Sequence, residues 1–495
     1  MLKNQSIEII KTFSAKEEKE FLKFLSSPVF NRSEKLVKLY SVLLKNKHKF
    51  DNPLFTKEYV FKCMKINSPY NDSTMRNLFA DLHIMLKKYL SFIGYMSTPN
   101  KKEIFLLRES ISRKLNKEII ETLEILKSDN TNFENQSFEK FLDFSEIKDI
   151  EFRHFYVTQS KFNRKNIELG ELLLNDTVFY LFLHMLYKTI MYENDYIVMT
   201  NIFSNKPKNS ELHKLYEIIS KINLYKIFSE NDVSLKYINL LLNITNAFIN
   251  PDDTGYYKIF KSEFEELKNK IPARIDYDLC KLATYYNEYK IIRDADSDSI
   301  RDAFYFLKRI IENKLYLHSE LRIINHFLFR SVAANGANNG EFEWVQCFIS
   351  DYSDILKPQY RKDTLNLSYG NLFFAKKDYQ SALKFLNDMN TENRVFNAEA
   401  KVLILKIHFE SGQFESLKYA IDSYYKLFKY EETFGDFFKQ SLLKFVFYLK
   451  KLYIYKTTLS GKDNLMYIFD KLQKDKNVLN KNWLIEKFDS AIGGT

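Results

Sequence analysis

Residues 365–386 read LNLSYGNLFFAKKDYQSALKFL, and they are the clearest indication of the architecture of the chain. Large apolar residues recur in it at three- and four-residue spacing on both sides of the polar Lys376–Asp378 segment, which is typical of two helices joined by a short turn. The small residues Gly370 and Ala382 fall where two helices cross closely, because a bulky side chain would hold them apart. The stretch therefore predicts a helical hairpin.

The same pattern recurs along the chain. Phe342 in NNGEFEWVQCFI precedes Tyr379 by 37 residues, and Phe414 in SGQFESLKYAI follows it by 35. A period near 34 is typical of stacked helix pairs. We therefore predict an all-α fold in which a small N-terminal helical domain precedes a curved, right-handed solenoid of helical hairpins.

The hairpin resembles a tetratricopeptide repeat. Tyr369-Gly370, Phe373, Tyr379, Ala382 and Leu386 stand where that family places Leu-Gly, Tyr, an aromatic residue, Ala and Phe. The resemblance covers roughly 90 residues well and implies a surface that holds a protein or peptide rather than a catalyst.

The chain also departs from the family pattern at four positions. Asn366 replaces the frequent Trp, Arg394 replaces the frequent Pro, and Leu405 and Leu417 replace small residues. We therefore describe the array as tetratricopeptide-like. In this reading the outward residues of first helices contact the partner, and the candidates are Asn366, Asn371 and Lys401.

Composition supports helix throughout. The 495 residues contain only 11 Gly and 8 Pro, and the 44 Phe and 33 Tyr are interpreted as packing between helices. We divide the chain into a basic N-terminal helical domain (1–97), a degenerate hairpin array (98–314), tetratricopeptide-like repeats (315–432) and C-terminal capping helices (433–495).

Charge is uneven along the chain. The formal net charge is +10, and residues 1–100 carry 17 Lys and Arg against 9 Asp and Glu, a net charge of +8. Concentrated positive charge favours a polyanionic partner, although a lysine-rich solvated surface has the same composition. Residues 73–94 form the best-patterned helix of this region, and its polar face offers Arg76, Asn77, Lys87 and Lys88 as nucleic-acid contacts.

The N-terminal region carries two further resemblances. FSAKEEKEFLKFLSSPVFNRSEKLVKLY and PYNDSTMRNLFADLHIMLKKYL resemble the start of a family of uncharacterised bacterial helical proteins, which implies no function. The layout is similar to that of regulators that join a winged helix to tetratricopeptide-like repeats, but no clear β-hairpin wing follows Leu90. Ser14 and Glu17 form a capping-box pattern at a helix start.

Motifs for catalysis, metals and cofactors are not found in the sequence. There is no GxxxxGK[ST], GxGxxG, HExxH or GxSxG motif, and Cys63, Cys280 and Cys347 are far apart. Asp294, Asp296 and Asp298 start like a calcium loop, but Ser299 replaces its glycine. We therefore expect neither an enzyme nor a bound cofactor or metal.

These observations predict a cytoplasmic scaffold or adaptor that binds a protein or peptide through its helical-repeat groove. The apolar run 178–187 is too short for a membrane span, and no membrane partner is expected. The alternative is a nucleic-acid-binding transcriptional regulator whose N-terminal domain contacts nucleic acid and whose solenoid senses a partner. The oligomeric state is not predicted.

Overall fold

The structure, a computed structural model, describes residues 4–98, 100–129, 138, 140–158, 163–203, 211–222, 224, 233–319, 322–390, 392–458 and 461–493. Within these ranges it contains 23 α-helices and no strand. The all-α, helical-hairpin prediction is confirmed. By residue contacts the chain forms two compact units. Unit 1 contains the described residues of Met1–Thr131 and Glu146–Leu174, and unit 2 those of Asn132–Ser145 and Asn175–Thr495.

Unit 1 contains seven complete helices. They are α1 (Gln5–Lys11), α2 (Ala15–Ser26), α3 (Glu34–Lys45), α4 (Lys57–Cys63), α5 (Asp72–Ser97), α6 (Lys101–Ser112) and α7 (Asn116–Asp129). Residues of α8 (Lys140–Thr158) and α9 (Arg164–Phe203) belong to both units. The domain boundaries at residues 97, 314 and 432 stay predictions.

Unit 2 contains the remaining fourteen helices of the described ranges. They are α10 (Glu211–Ile219), α11 (Val233–Ile249), α12 (Gly255–Leu267), α13 (Ala273–Asp294), α14 (Ser297–Glu312), α15 (His326–Asn338), α16 (Phe342–Tyr352), α17 (Pro358–Ala375), α18 (Tyr379–Asn387), α19 (Arg394–Glu410), α20 (Phe414–Tyr430), α21 (Asp436–Thr458), α22 (Lys462–Lys474) and α23 (Lys481–Gly493).

The core of unit 1 is built around α5, which contacts α1, α2, α3 and α4. Phe21 of α2, Tyr40 of α3 and Tyr89 of α5 are fully buried, and the Phe21 ring meets Tyr40 edge-on at 4.7 Å between centroids. The predicted capping box starts α2, because Ser14 accepts from the Glu17 amide and Glu17 accepts from the Ser14 amide. The N-cap of α5 is Asn71, whose side chain accepts from the Thr74 amide.

The hairpins of unit 2 repeat with the period that the sequence predicts. Phe342, Tyr379 and Phe414 are the first residues of α16, α18 and α20, the second helices of three successive hairpins. Two residues before each of them, the backbone takes a positive φ, at Gly340, Lys377 and Gly412. A left-handed residue at this point ends the first helix and turns the chain into the second.

Small residues allow the helices of a hairpin to cross closely. A Cβ on Gly370 of α17 would lie 2.6 Å from Leu386 Cδ2 of α18, and a Cβ on Gly336 of α15 would lie 2.5 Å from Val345 Cγ2 of α16. Gly336 and Gly370 are 34 residues apart. The Asn and Gly residues of Asn335–Phe342 favour a turn by local propensity, but α15 continues through Gly336 to Asn338, and the chain turns only after it.

The C-terminal helices pack on the last hairpin and close unit 2 on itself. Residues of α19 to α23 form one buried apolar cluster that includes Leu405, Leu449 and Phe488. The Tyr289 ring of α13 lies 4.9 Å from the Phe437 ring of α21. Asn477 donates its backbone amide to the Arg293 carbonyl at 2.9 Å. The hairpin stack of unit 2 therefore ends in contact with α13, one of its earlier helices.

Candidate functional site

The three solenoid residues predicted to contact a partner occupy different environments. Asn366 is only 8% exposed and donates its amide to Asp388 Oδ2 at 3.3 Å, so it does not lie on an outward face as expected. Asn371 is half-buried and donates to the Leu367 carbonyl of its own helix. Lys401 is half-buried, with Nζ 4.5 Å from the Tyr424 ring centroid. Their partner contacts stay predictions.

Charged side chains of unit 2 bridge helices that are distant in sequence. Arg330 of α15 lies 3.3 Å from Glu399 of α19 and 3.9 Å from Glu288 of α13. The exposed fraction of these side chains is 19% for Arg330, 24% for Glu399 and 25% for Glu288. Burial raises the pKa of Glu399, and the guanidinium of Arg330 opposes that rise. The three charges hold α13, α15 and α19 together.

Aromatic rings occupy the neighbouring positions of the same helices. His326 of α15 stacks on Tyr360 of α17 at 4.2 Å and meets Phe396 of α19 at 5.8 Å. Burial lowers the pKa of His326, with Lys357 adding to the shift. The first helices α15, α17 and α19 therefore contact one another through their own side chains.

A shallow hollow lies beside Lys401. It has a volume of about 520 Å³ and is lined by Lys401 of α19 and by Asp422, Tyr424 and Lys426 of α20. Asp422 already pairs with Lys450 at 2.9 Å. Burial lowers the pKa of Lys401. The lining of the hollow mixes charged side chains with the apolar surface of Tyr424 and Leu427, so it offers a partner less apolar surface than the groove of unit 1.

Unit 1 carries a groove with a different character, which we call the α5 groove. It has a volume of about 560 Å³ and is lined by Phe24, Phe30, Ile84, Lys87, Lys88, Ser91 and Phe92. Three apolar side chains in it are exposed: Phe30 by 41%, Ile84 by 52% and Phe92 by 40%. Exposed large apolar groups that adjoin one another are typical of interaction sites.

The aromatic floor of the α5 groove is fixed by the core and by a turn. Phe24 of α2 is buried and stacks on Phe30 at 4.1 Å between centroids, with an interplanar angle of 18°. Phe30 follows Pro28 in the turn after α2, and its backbone amide donates to the Ser27 carbonyl. Asn31 donates its side-chain amide to the Leu25 carbonyl at 2.8 Å and locks this turn onto the end of α2.

The four residues predicted to bind nucleic acid all lie exposed on α5. Arg76 and Lys87 are eleven residues apart, as are Asn77 and Lys88, and eleven residues are close to three full turns. Each pair therefore shares one side of the helix. Arg76 is paired with Asp72 at 3.0 Å, whereas Lys87 and Lys88 line the groove and form no ion pair with any described residue.

The apolar members of this site were not predicted from the sequence. Ile84 and Phe92 were not part of the buried stripe of α5, and Phe30 follows the Pro28 break after α2. The available signal for the groove was the position of Ile84 and Phe92 outside the buried apolar stripe of an otherwise regular amphipathic helix. It was weak, because single exposed apolar residues are common on protein surfaces.

The calcium-like segment has a structural role. Asp296 is the N-cap of α14, and its side chain accepts from the Asp298 amide. Asp294 pairs with Lys290 and Arg293. In the part of the chain that the structure describes, no three His, Cys, Asp or Glu residues are grouped as metal ligands.

One described helix is long and apolar enough to cross a membrane when judged by length and composition. It is Arg164–Asn201 of α9, with a mean hydropathy of 1.2 and 22% of its apolar window buried. A long core helix of a soluble protein meets the same two criteria. The cytoplasmic location stays a prediction.

Comparison of the chain with protein-family models, with curated proteins and with solved structures found no match. The fold places it in the class of all-α helical-hairpin proteins. The α5 groove is the surface feature from which a function is inferred.

Proposed function

We propose that this chain is a non-enzymatic scaffold or adaptor that binds a protein partner. The observation that carries the proposal is the α5 groove, where Phe30, Ile84 and Phe92 are 40–52% exposed beside the exposed Lys87 and Lys88. Covering such apolar side chains is the main favourable term in protein association. Stacked helical hairpins suit this role, because they position surface residues on a rigid frame.

The α5 groove supports the proposal better than the predicted groove of the hairpin array. In unit 2 the first helices α15 and α19 already pair Arg330 with Glu399 and pack His326 against Phe396. A peptide that entered there would have to displace those contacts. The α5 groove offers its apolar surface without such a rearrangement.

The alternative function is nucleic-acid binding, and two observations favour it. Arg76 and Lys87 share one side of α5, and residues 1–100 carry a net charge of +8. Contacts with phosphates would make affinity fall steeply with salt. Two features favour a protein segment instead. Apolar side chains lie in the groove beside Lys87 and Lys88, and Arg76 is already paired with Asp72.

Site-specific photo-crosslinking separates the two functions. A photoreactive phenylalanine in place of Ile84 is expected to yield adducts that protease removes and nuclease does not. The matched control carries the same group in place of Leu54, which is 81% exposed on unit 1 and does not line the groove. Protein adducts at position 84 that Lys87→Glu/Lys88→Glu abolishes support the proposal. Nuclease-sensitive adducts at position 84, or equal adducts at both positions, contradict it.

A further inference from the structure

The α5 groove has the length of a short helical contact. Ile84 and Phe92 are eight residues apart on α5, which corresponds to roughly 12 Å along the helix axis. A partner helix laid on this surface presents about two turns to it. Two apolar side chains spaced by seven or eight residues, roughly 11–12 Å along the partner helix, would then face Ile84 and Phe92.

The floor of the groove selects apolar side chains. Phe24 is buried beneath Phe30, and the rings of Phe30 and Phe92 lie 6.2 Å apart. Ile84 completes the apolar surface from the preceding turns of α5. The turn that carries Phe30 is held by hydrogen bonds from Asn31, so this floor is formed before any partner arrives. A preformed apolar floor does not have to be ordered on binding.

The rim of the groove selects negative charge. Lys87 and Lys88 are both exposed and form no ion pair with any described residue. Their positions, three and four residues after Ile84, put them within one turn of the apolar floor. Carboxylates at the flanks of a docked helix would meet these ammonium groups, and a partner with lysines there would be repelled.

We propose that the α5 groove binds an acidic amphipathic helix of a partner protein, with its apolar face on Phe30, Ile84 and Phe92 and its carboxylates on Lys87 and Lys88. The proposal rests on the proposed function and adds the chemistry of the partner. A second copy of this chain and a single-stranded nucleic acid are the competing occupants.

The test uses the full-length chain and three labelled synthetic helices of equal length, followed by fluorescence anisotropy. The first carries leucines at three- and four-residue spacing with glutamates elsewhere, the second replaces each glutamate by lysine, and the third replaces each leucine by serine. We expect the acidic leucine helix to bind at least tenfold more tightly than either of the others. Equal binding of all three, or no binding of the acidic helix, overturns the proposal.

Charge reversal provides the matched comparison. Lys87→Glu/Lys88→Glu is expected to weaken the acidic helix about tenfold and to strengthen the lysine helix. Lys62→Glu/Lys102→Glu changes the net charge of unit 1 equally at exposed lysines outside the groove and is expected to leave both affinities within twofold. Equal loss in the two double variants would show attraction by overall charge and would overturn the proposal. Circular dichroism checks that each variant is folded.

Two further measurements identify the competing occupants. A labelled single-stranded oligonucleotide that displaces the acidic helix and binds more tightly than it would assign the groove to nucleic acid. Sedimentation of the wild type and of Ile84→Asp would reveal a dimer built on this groove, and a dimer that Ile84→Asp dissociates overturns the proposal. Protein crosslinks at position 84 without binding of the acidic helix would refute this inference and leave the proposed function intact.

Discussion

At position 370 the distance between two helices depends on a single hydrogen atom. A methyl group in its place would lie 2.6 Å from Cδ2 and 2.9 Å from Cγ of Leu386, which is 4% exposed. We expect Gly370→Ala to lower the free energy of unfolding by about 1–3 kcal/mol, because overpacking forces the buried leucine or the helix to move. Urea denaturation measures the change.

Gly412 is the matched control for Gly370. An added Cβ there meets nothing within 4 Å, but the residue has φ +68. Gly412→Ala should cost about 1 kcal/mol through backbone strain alone. Leu386→Ala is expected to relieve Gly370→Ala and to leave the cost of Gly412→Ala unchanged. If the Gly370 and Leu386 substitutions prove additive, the close crossing is not what constrains this glycine.

Lys406 is expected to make stability depend on pH. The side chain is buried, with Nζ 4.5 Å from the Phe374 ring centroid and 5.5 Å from that of Trp483. Burial lowers its pKa from 10.5 to about 8, and Glu410 opposes the shift. Between these two values the unfolded chain binds more protons than the folded chain. The contribution of Lys406 to stability therefore rises with pH across this window.

The comparison with Lys406→Met isolates this effect. Between pH 7 and 9 the wild type should gain about 1 kcal/mol of unfolding free energy relative to the variant, since a pKa difference of one unit corresponds to about 1.4 kcal/mol. Denaturation at both pH values measures the gain. Parallel pH profiles of the two proteins would show that Lys406 is not desolvated in the folded state.

Local signals predicted some residues well and others poorly. Ser14 and Glu17 form the expected capping box because both partners lie within one turn. Asn366 is buried against Asp388 although it was expected to face outward, because an error of one residue in phase rotates a side chain by about 100°. The exposure of Ile84 and Phe92 depends on which neighbours pack on α5, and no local signal specifies that.

At the scale of elements, removing only Arg330 from its cluster with Glu288 and Glu399 is expected to destabilise unit 2 more than removing all three charges. Arg330→Met leaves Glu288 and Glu399 close together without a cation and should lower the unfolding free energy by about 2–3 kcal/mol, because a partly buried charge loses its partner. The triple variant Glu288→Gln/Arg330→Met/Glu399→Gln should recover most of this loss. Thermal melts of both proteins test the expectation, and a triple variant as unstable as the single one would refute it.

The arrangement of the hairpins was predictable where the repeat marked it. Phe342, Tyr379 and Phe414 each begin a second helix, as their spacing indicates. Gly336 was missed, because Asn and Gly in one short segment favour a turn by local propensity. In the structure Val345 packs so closely on this position that only glycine fits, so tertiary contact overrides the local preference.

At the scale of the molecule, α22 and α23 are expected to be required for the integrity of unit 2. They supply Leu465, Leu472 and Phe488 to the apolar cluster of the last helices. A chain ending at Thr458 should bind a hydrophobic dye and lose its cooperative thermal transition, because an uncapped hairpin stack exposes its last apolar face. Light scattering and dye fluorescence provide the measurements.

A point variant separates the coverage of the last apolar face from the contacts that join the C-terminal segment to earlier parts of unit 2. Lys476→Ala removes the 2.8 Å pair with Asp252 and keeps both helices in place. It should therefore bind no dye and retain a single transition, because one exposed ion pair contributes little to stability. Dye binding by this variant as strong as that of the truncated chain would mean that the ion pair, rather than apolar coverage, holds the end of the stack.

The contact of the C-terminal segment with Arg293 also limits how this protein can change in evolution. Open hairpin arrays grow or shrink by duplicating or losing a unit, since each unit touches only its neighbours. Here the Tyr289–Phe437 contact joins helices separated by three hairpins. Inserting or deleting one hairpin between them would separate these rings, so the number of units between α13 and α21 is fixed by geometry.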